Sequence, residues 1–553
     1  MFRPRLSTVL LFNAGVALSV AACGGGTADN KGTGGGSSVG AGATGGTTGG
    51  SAGKVGTGGT TGGTGGTTGG SAGKVGTGGT AGGTGGTTGG SAGMASGSGG
   101  MGVGGTFGMA GSSAVGGSGG MPAGGAGSGA GGSSSGGCTI TSMATQSDTI
   151  STVFNVTFTS TLATVDSAQI DFGLDTTYGY TAPVDPKAPS TMLLGMKPSK
   201  TYHYRVSVTS GGMTCMGTDQ TVMTGPIANG LPKGTITTND ATKLAGGFML
   251  SEWYAGKQDV FIMDKDLDIV WWFDPKSVVS AFSDLTRARM STDGKTMWIA
   301  HGNVPQATAH MMKVSMDGSN PQDLSSTFTD LNHDFTIVND AMGDWIYFVA
   351  YGANKAPCDD IKEYNPTNGM VRTVMNIGKA FSSGSCHANA VEYSKDDDTL
   401  VVSELDHSAY VKIKRTTGDI VWVLGGGTNN QFTGDAATWT NEHNLQVISA
   451  TDILMFNNGA ANAGSNAIEM QLDTNAKTAT KLWEYTASPL ISNVVMGDVQ
   501  RLPNGNTLVS YSTQGVIHEV DANKNLLQSI SWGTGGAIGY VIKRPTLYGP
   551  SPK

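Results

Sequence analysis

The chain of 553 residues carries 33 Lys and Arg against 41 Asp and Glu, a net charge of −8, with no basic run, which excludes nucleic-acid binding through clustered cations. Small anionic ligands stay open, because local donors rather than net charge decide those. The 90 glycines are so unevenly spread that the average composition describes no single part of the molecule.

Met1 to Ala22 reads as an export signal: Arg3 and Arg5, an apolar stretch from Val9 to Val20, then small residues. Val20-Ala21-Ala22-Cys23 resembles the lipobox of bacterial lipoproteins, which implies cleavage before Cys23 and acylation there. Gly24 stands where an aspartate would mark inner-membrane retention, so the resemblance implies an outer-membrane or cell-surface lipoprotein. Residues 23–137 form a Gly/Ser/Thr-rich linker in which Thr-Gly-Gly-Ser-Ala-Gly-Lys-Val recurs around Lys54 and Lys74. Such a segment buries no core and reads as a disordered tether with a span of roughly 60 Å.

Residues 138–225 carry short alternating runs, Ser151–Phe158, Ala168–Gly173 and Tyr202–Val208, which predict a small β-sandwich. The approach Met196-Lys197-Pro198-Ser199-Lys200-Thr201-Tyr202 resembles the tyrosine corner of fibronectin type III domains. With Cys23 acylated, Cys138–Cys215 and Cys358–Cys386 are the pairings that close a loop within one unit, fitting an oxidising compartment.

Over residues 226–545 a pattern recurs at about 50 residues. Its visible part is a hairpin with a polar turn: Asp264–Asp268, Met316–Ser319, Asn365–Gly369, Arg415–Asp419, Asp473–Asn475 and Asp521–Lys524. Six such units predict an all-β, six-bladed β-propeller. Within it, His333, His387 and His443 each open a strand-like run, so the three imidazoles are expected to converge at one end of a central channel. Counting back from Trp298 as His333 counts back from Trp345 puts Arg287 near the same height.

Convergent imidazoles support a metal site, a ligand-binding or structural propeller mouth, or group transfer with a histidine nucleophile. Asp334 and Glu442 adjoin two of the histidines but point to the opposite strand face, which argues against metal.

His333-Asp334, His387-Ala388-Asn389, Ser408 through Gly426, Glu442-His443-Asn444 with Phe456-Asn457-Asn458-Gly459, and Gly497-Asp498-Val499-Gln500-Arg501-Leu502-Pro503-Asn504-Gly505-Asn506 resemble, in order, the motifs of bacterial aryl sulfotransferases. The resemblance implies a propeller that moves a sulfuryl group from a phenolic sulfate donor to a phenol acceptor through a sulfohistidine, with no cofactor and no nucleotide. It implies His443 as nucleophile, with His333, His387 and Asn389 binding the sulfuryl oxygens and handling the phenolic proton. The pattern departs at Leu405, where relatives carry arginine. His407, two residues further on and so on the same strand face, is then a candidate replacement donor. The alternative is a non-catalytic surface propeller that binds glycans, phenolics or a protein.

Overall fold

Strict alternation of apolar and polar residues builds the first unit. In the strand Phe154–Ser160, Phe154, Val156 and Phe158 point inward while their neighbours face solvent, and Tyr202, Tyr204, Val206 and Val208 do the same in Thr201–Ser210. The computed structural model describes residues 137–550 apart from 255–258, 281, 283–284, 302–308, 354–356, 383, 461–462 and 534. The export signal, Cys23 and the linker up to residue 136 lie outside the described residues. Regular structure is almost wholly strand, with a few single turns of 3-10 helix.

Ile140–Gln146, Phe154–Ser160 and Ser190–Leu193 form one sheet. The other runs Gly179–Val184, Ser167–Gly173, Thr201–Ser210, Met213–Met216, with Gln220–Met223 also paired to the long strand. The sheets share a core of Val156, Phe158, Ile170, Phe172, Tyr204 and Val206. The Tyr202 hydroxyl accepts the Lys197 N–H at 2.9 Å. Cys138 and Cys215 are disulfide-bonded, as the loop-closure argument expected.

Residues 235–544 form six antiparallel sheets in succession. Each of the six polar turns read from the sequence joins the third and fourth strands of its sheet. Middle strands such as Phe248–Glu252 and Val260–Asp264 are buried on both faces, which suits sheets stacked against neighbours. Trp271 of the first sheet, fully buried, donates its indole N–H to the Met316 carbonyl of the second at 2.7 Å.

Two strands from the ends of this region close the ring. Thr235–Asn239 pairs with the outer strand Leu526–Ser531 of the sixth sheet, and Ile542–Arg544 becomes the innermost strand of the first. Gln500 of the sixth sheet then exchanges two hydrogen bonds with the Lys543 backbone, at 2.7 and 2.8 Å. The first strands of all six sheets therefore surround one axis.

The sandwich docks on the third-to-fourth-strand turns of the first two sheets. Thr152 donates to the Val270 carbonyl at 2.7 Å, and the Lys197 ammonium sits among Asp264, Asp266 and Asp268 at 2.6–2.9 Å.

Candidate functional site

Register places the histidines. In the third, fourth and fifth sheets a bulge interrupts the first strand, and pairing resumes at Phe335, Ala390 and Leu445. His333 and His443 each lie two residues before that point, at equivalent positions. His387 lies three before it, just outside the strand Ala388–Ser394, so the three do not share one register as the sequence pattern suggested. They converge nevertheless: the His333 and His387 rings are 4.7 Å apart with Nε2 to Nε2 at 3.1 Å, and His443 is close enough to act electrostatically on both. His333 holds a left-handed φ of 44°, an uncommon conformation for a residue with a side chain and one that recurs at functional sites.

An amide orients each of two rings. His443 Nδ1 lies 2.6 Å from Asn458 Oδ1, and Asn458 spends its own N–H donors on the Asn493 carbonyl and, at 2.9 Å, the Met496 carbonyl. His333 Nδ1 faces Asn332 Oδ1, while Asn332 Nδ2 donates to Asp359 at 3.4 Å. Each amide oxygen can only accept, so both rings carry the proton on Nδ1 and present an Nε2 lone pair. In the His333–His387 contact, His387 Nε2–H is then the donor.

The layer is uncharged. Burial brings His443 down to about 4, reinforced by repulsion from His387 and opposed by the Asn458 hydrogen bond. Burial and the two neighbouring histidines hold His333 well below its ordinary value, and burial also lowers His387. Carboxylates stand behind: burial raises Asp359 to about 7, and Glu442 well above the carboxylate range.

The chain around His387 is pinned from several sides. Cys386 is bonded to Cys358, the second pairing expected from the sequence. Glu404, fully buried, accepts the His387 N–H at 2.6 Å and the N–H groups of Asp406 and His407. The His387 carbonyl accepts the Leu405 N–H at 2.9 Å.

Asn389 is fully buried beside this layer and donates Nδ2 to the Glu442 carbonyl at 2.9 Å, leaving Oδ1 without a hydrogen-bond partner. It offers an acceptor rather than the donor that a sulfuryl oxygen would need.

Arg287 does not join the histidines. Its sheet resumes pairing at Arg287 itself, two residues further along the strand than His333 in the equivalent frame, and the hairpin turn is longer in the second sheet, residues 291–296 against 341–342 in the third, so a count from the tryptophans does not transfer. Its buried guanidinium bonds Asp334 through Nε at 2.7 Å and Asp498 through Nη1 at 3.3 Å, and packs 4.2 Å from the Tyr540 ring. Arg287 thus ties the second, third and sixth sheets together.

His407 is a second correction. The strand Thr399–Glu404 ends before it, and residues 405–408 form a turn closed by Ser408 N–H to Leu405 O, so alternation does not carry His407 onto the face of Leu405. Its ring stacks on Phe381 at 4.0 Å and bonds Glu404 at 2.8 Å. Among the described residues no group of three or more His, Cys, Asp or Glu side chains is arranged to hold a metal ion. A cavity of about 750 Å3 opens elsewhere, at the far ends of the same first strands, lined by Arg289, Thr336, Glu392 and Gln446 and by none of the histidines.

Sequence reasoning missed Asn332, Asp359, Glu404 and Asn458 as the groups that hold the site. Asn332 adjoins His333 and Asn458 lies in a quoted motif, so adjacency was a usable signal for both. Asp359 and Glu404 hold the segment around His387 by accepting the Ala388 and His387 N–H groups, contacts that leave no trace in the sequence.

A family model described as Arylsulfotransferase (ASST) matches residues 241–533, more than half of the chain. No curated protein matches. Solved structures with some likeness include a structural genomics protein of unknown function from Bacteroides thetaiotaomicron, at 14% identity over 69% of this chain and 94% of that one, TM-score 0.35. A dihydro-heme d1 dehydrogenase NirN shows 14% identity over 54% and 58%, TM-score 0.30. The Cps50 (Swd1) β-propeller domain of Myceliophteria thermophila shows 10% identity over 55% and 88%, TM-score 0.35. Likeness at this level carries no argument about this chain.

Proposed function

The chain belongs to the arylsulfotransferase family, and from that premise we propose that it moves a sulfuryl group from a phenolic sulfate to a phenol through a sulfohistidine on His443. The observation that carries the reading is the His443 ring, neutral and buried, with Nδ1 engaged by Asn458 and Nε2 left as the nucleophilic nitrogen beside His333 and His387.

The Nε2 lone pair attacks sulfur, the sulfur–oxygen ester bond breaks, and the phenolate leaves with the bonding pair. The His387 Nε2–H, which meets His333 Nε2 in the resting site, turns to the sulfuryl or leaving oxygens as the donor binds and releases the His333 lone pair. In the second half, His333 Nε2 takes the acceptor phenol's proton as its oxygen attacks sulfur, and the N–S pair returns to His443. That proton balances the phenolate released first. Asn389 Oδ1 receives the acceptor hydroxyl before transfer.

In this reading the six sheets are blades of a propeller at 226–545, and 138–225 is a fibronectin III-like sandwich. The chain is an exported lipoprotein tethered through Cys23 by the residue 23–137 linker, and Cys23→Ser should release it from membranes. Leu405, in place of the family arginine, favours a second reading: a surface propeller that binds phenolics or glycans without turnover. Incubation with an aryl sulfate and a phenol separates the two. Phenol release that depends on acceptor, with acid-labile label on the His443 peptide, supports transfer; silence across a donor panel supports binding alone.

A further inference from the structure

We propose that Asn458 is a positioning residue that locks His443 in the Nδ1–H tautomer, so that Nε2 is always the free nitrogen. The catalytic consequence rests on the sulfohistidine reading; the tautomer does not.

An amide side chain fixes a tautomer only if it cannot flip, and this one cannot. Asn458 is 4% exposed, and its nitrogen is committed to two backbone carbonyls, Asn493 and Met496. A flip would face the carbonyl oxygen to two other carbonyl oxygens and the NH2 to an imidazole nitrogen, losing two hydrogen bonds in a buried place. The anchors are themselves held. Asn493 accepts from the Thr513 N–H and hydroxyl at 2.8 and 2.7 Å and donates to the Val495 and Met496 carbonyls at 2.9 Å. Ser465 bridges the Asn458 and Asn493 carbonyls, and the Asn458 N–H holds the Asn441 carbonyl two residues before His443.

The choice of an amide follows from the chemistry. Transfer to Nε2 gives a ring with sulfur on one nitrogen, hydrogen on the other and positive charge between them. A carbonyl oxygen on Nδ1–H stabilises that charge as it appears. A carboxylate would stabilise it more, but would also favour the resting imidazolium, whose Nε2 has no lone pair. His407, held directly by Glu404, shows the other arrangement in the same molecule, outside the trio. Asn458 thus lets the ring be oriented and still stay neutral.

The test is nitrogen-15 NMR of the full chain labelled at histidine, with the His443 signals assigned by their loss in His443→Gln. The wild type is expected to show His443 protonated at Nδ1 and unprotonated at Nε2 at pH 7. Asn458→Ala should turn this into a mixture of tautomers and slow sulfuryl transfer by roughly 100-fold or more, toward the ~10⁴ loss seen when a catalytic histidine is left in the wrong tautomer, with KM little changed. A wild-type His443 carrying its proton on Nε2 overturns the proposal without any variant. So does an unchanged tautomer in Asn458→Ala with the other histidine signals in place. An Nδ1–H tautomer in a protein that transfers nothing keeps the proposal and removes the sulfohistidine reading.

Discussion

Replacing Arg287 by Met decides whether this arginine belongs to the framework or to the chemistry. The guanidinium is fully buried and compensates two buried carboxylates, Asp334 and Asp498. Breaking a buried pair by removing one partner costs about 3–5 kcal/mol, because the charge left behind has neither partner nor water. Remaining bonds limit the loss: Phe335 and Val391 N–H still reach Asp334, and Val499 and Val541 N–H still reach Asp498. We expect a deficit near the middle of that range in urea titrations at pH 8. It should shrink in acid. In the wild type, burial pushes the Asp334 carboxyl up but Arg287 and Arg289 outweigh it, so its value lies below 3.8 and its contribution is lost only as pH falls through that lower value. Without Arg287 burial dominates, the folded value rises above the unfolded one, and the deficit grows as pH climbs from about 4. Adding Asp334→Asn should recover at least ~1 kcal/mol, a coupling expected of residues in contact. If Arg287→Met stays within about 1 kcal/mol of wild type at pH 8, or Asp334→Asn restores nothing, the guanidinium is not a structural charge and the assignment to the framework fails.

Sulfuryl transfer should hold from neutral pH down to about 5 and fall as pH drops through about 4, where His443 gains its proton; a loss centred near 6.5 would show that the ring is not desolvated as described. The same burial makes folding acid-sensitive. His443 and His518 both lie at about 4, so their contribution is complete above 6.5 and erodes below it, to be read as falling melting temperature between pH 6.5 and 4. Leu405→Arg should raise transfer by restoring a donor whose loss costs on the order of 3 kcal/mol, and unchanged rates would mean that the present donors suffice. Cys386→Ala opens a loop of 28 residues, at a cost of roughly 3–4 kcal/mol by chain entropy, and should weaken transfer at once by freeing the neighbouring His387; transfer retained in full would show that Glu404 alone holds that segment.

The six polar turns were legible because a hairpin turn is local chemistry, with Gly, Asn and Asp where the chain must reverse. The disulfides followed from loop closure within units. What the sequence could not show was register. A bulge adds a residue without marking it, so His387 sits one position off His333 and His443, and a longer hairpin turn in the second sheet leaves Arg287 two positions away from where a count between tryptophans put it. His407 failed for a related reason: alternation holds only while the strand lasts, and this one ends at Glu404. Three sandwich strands were read directly, whereas Met213–Met216 and Ser190–Leu193 are too short to carry a period.

The same register separates two layers with different electrostatics. Near the bulge Arg287, Asp334 and Asp498 satisfy one another inside the ring; at the open ends of the strands stand neutral imidazoles held by amides. Guanidinium charge is thus committed to carboxylates in the inner layer, and the outer one is uncharged, with His333 and His443 presenting Nε2 lone pairs and His387 an Nε2–H. For the proposed sulfuryl transfer, an uncharged mouth suits a group carrying one diffuse negative charge, which asks for little compensating charge where it is buried. It suits a dianionic phosphoryl group less, because neutral donors leave the second charge without compensation in a buried place. In the proposed reading, discrimination between sulfuryl and phosphoryl donors would come from the charge the layer lacks.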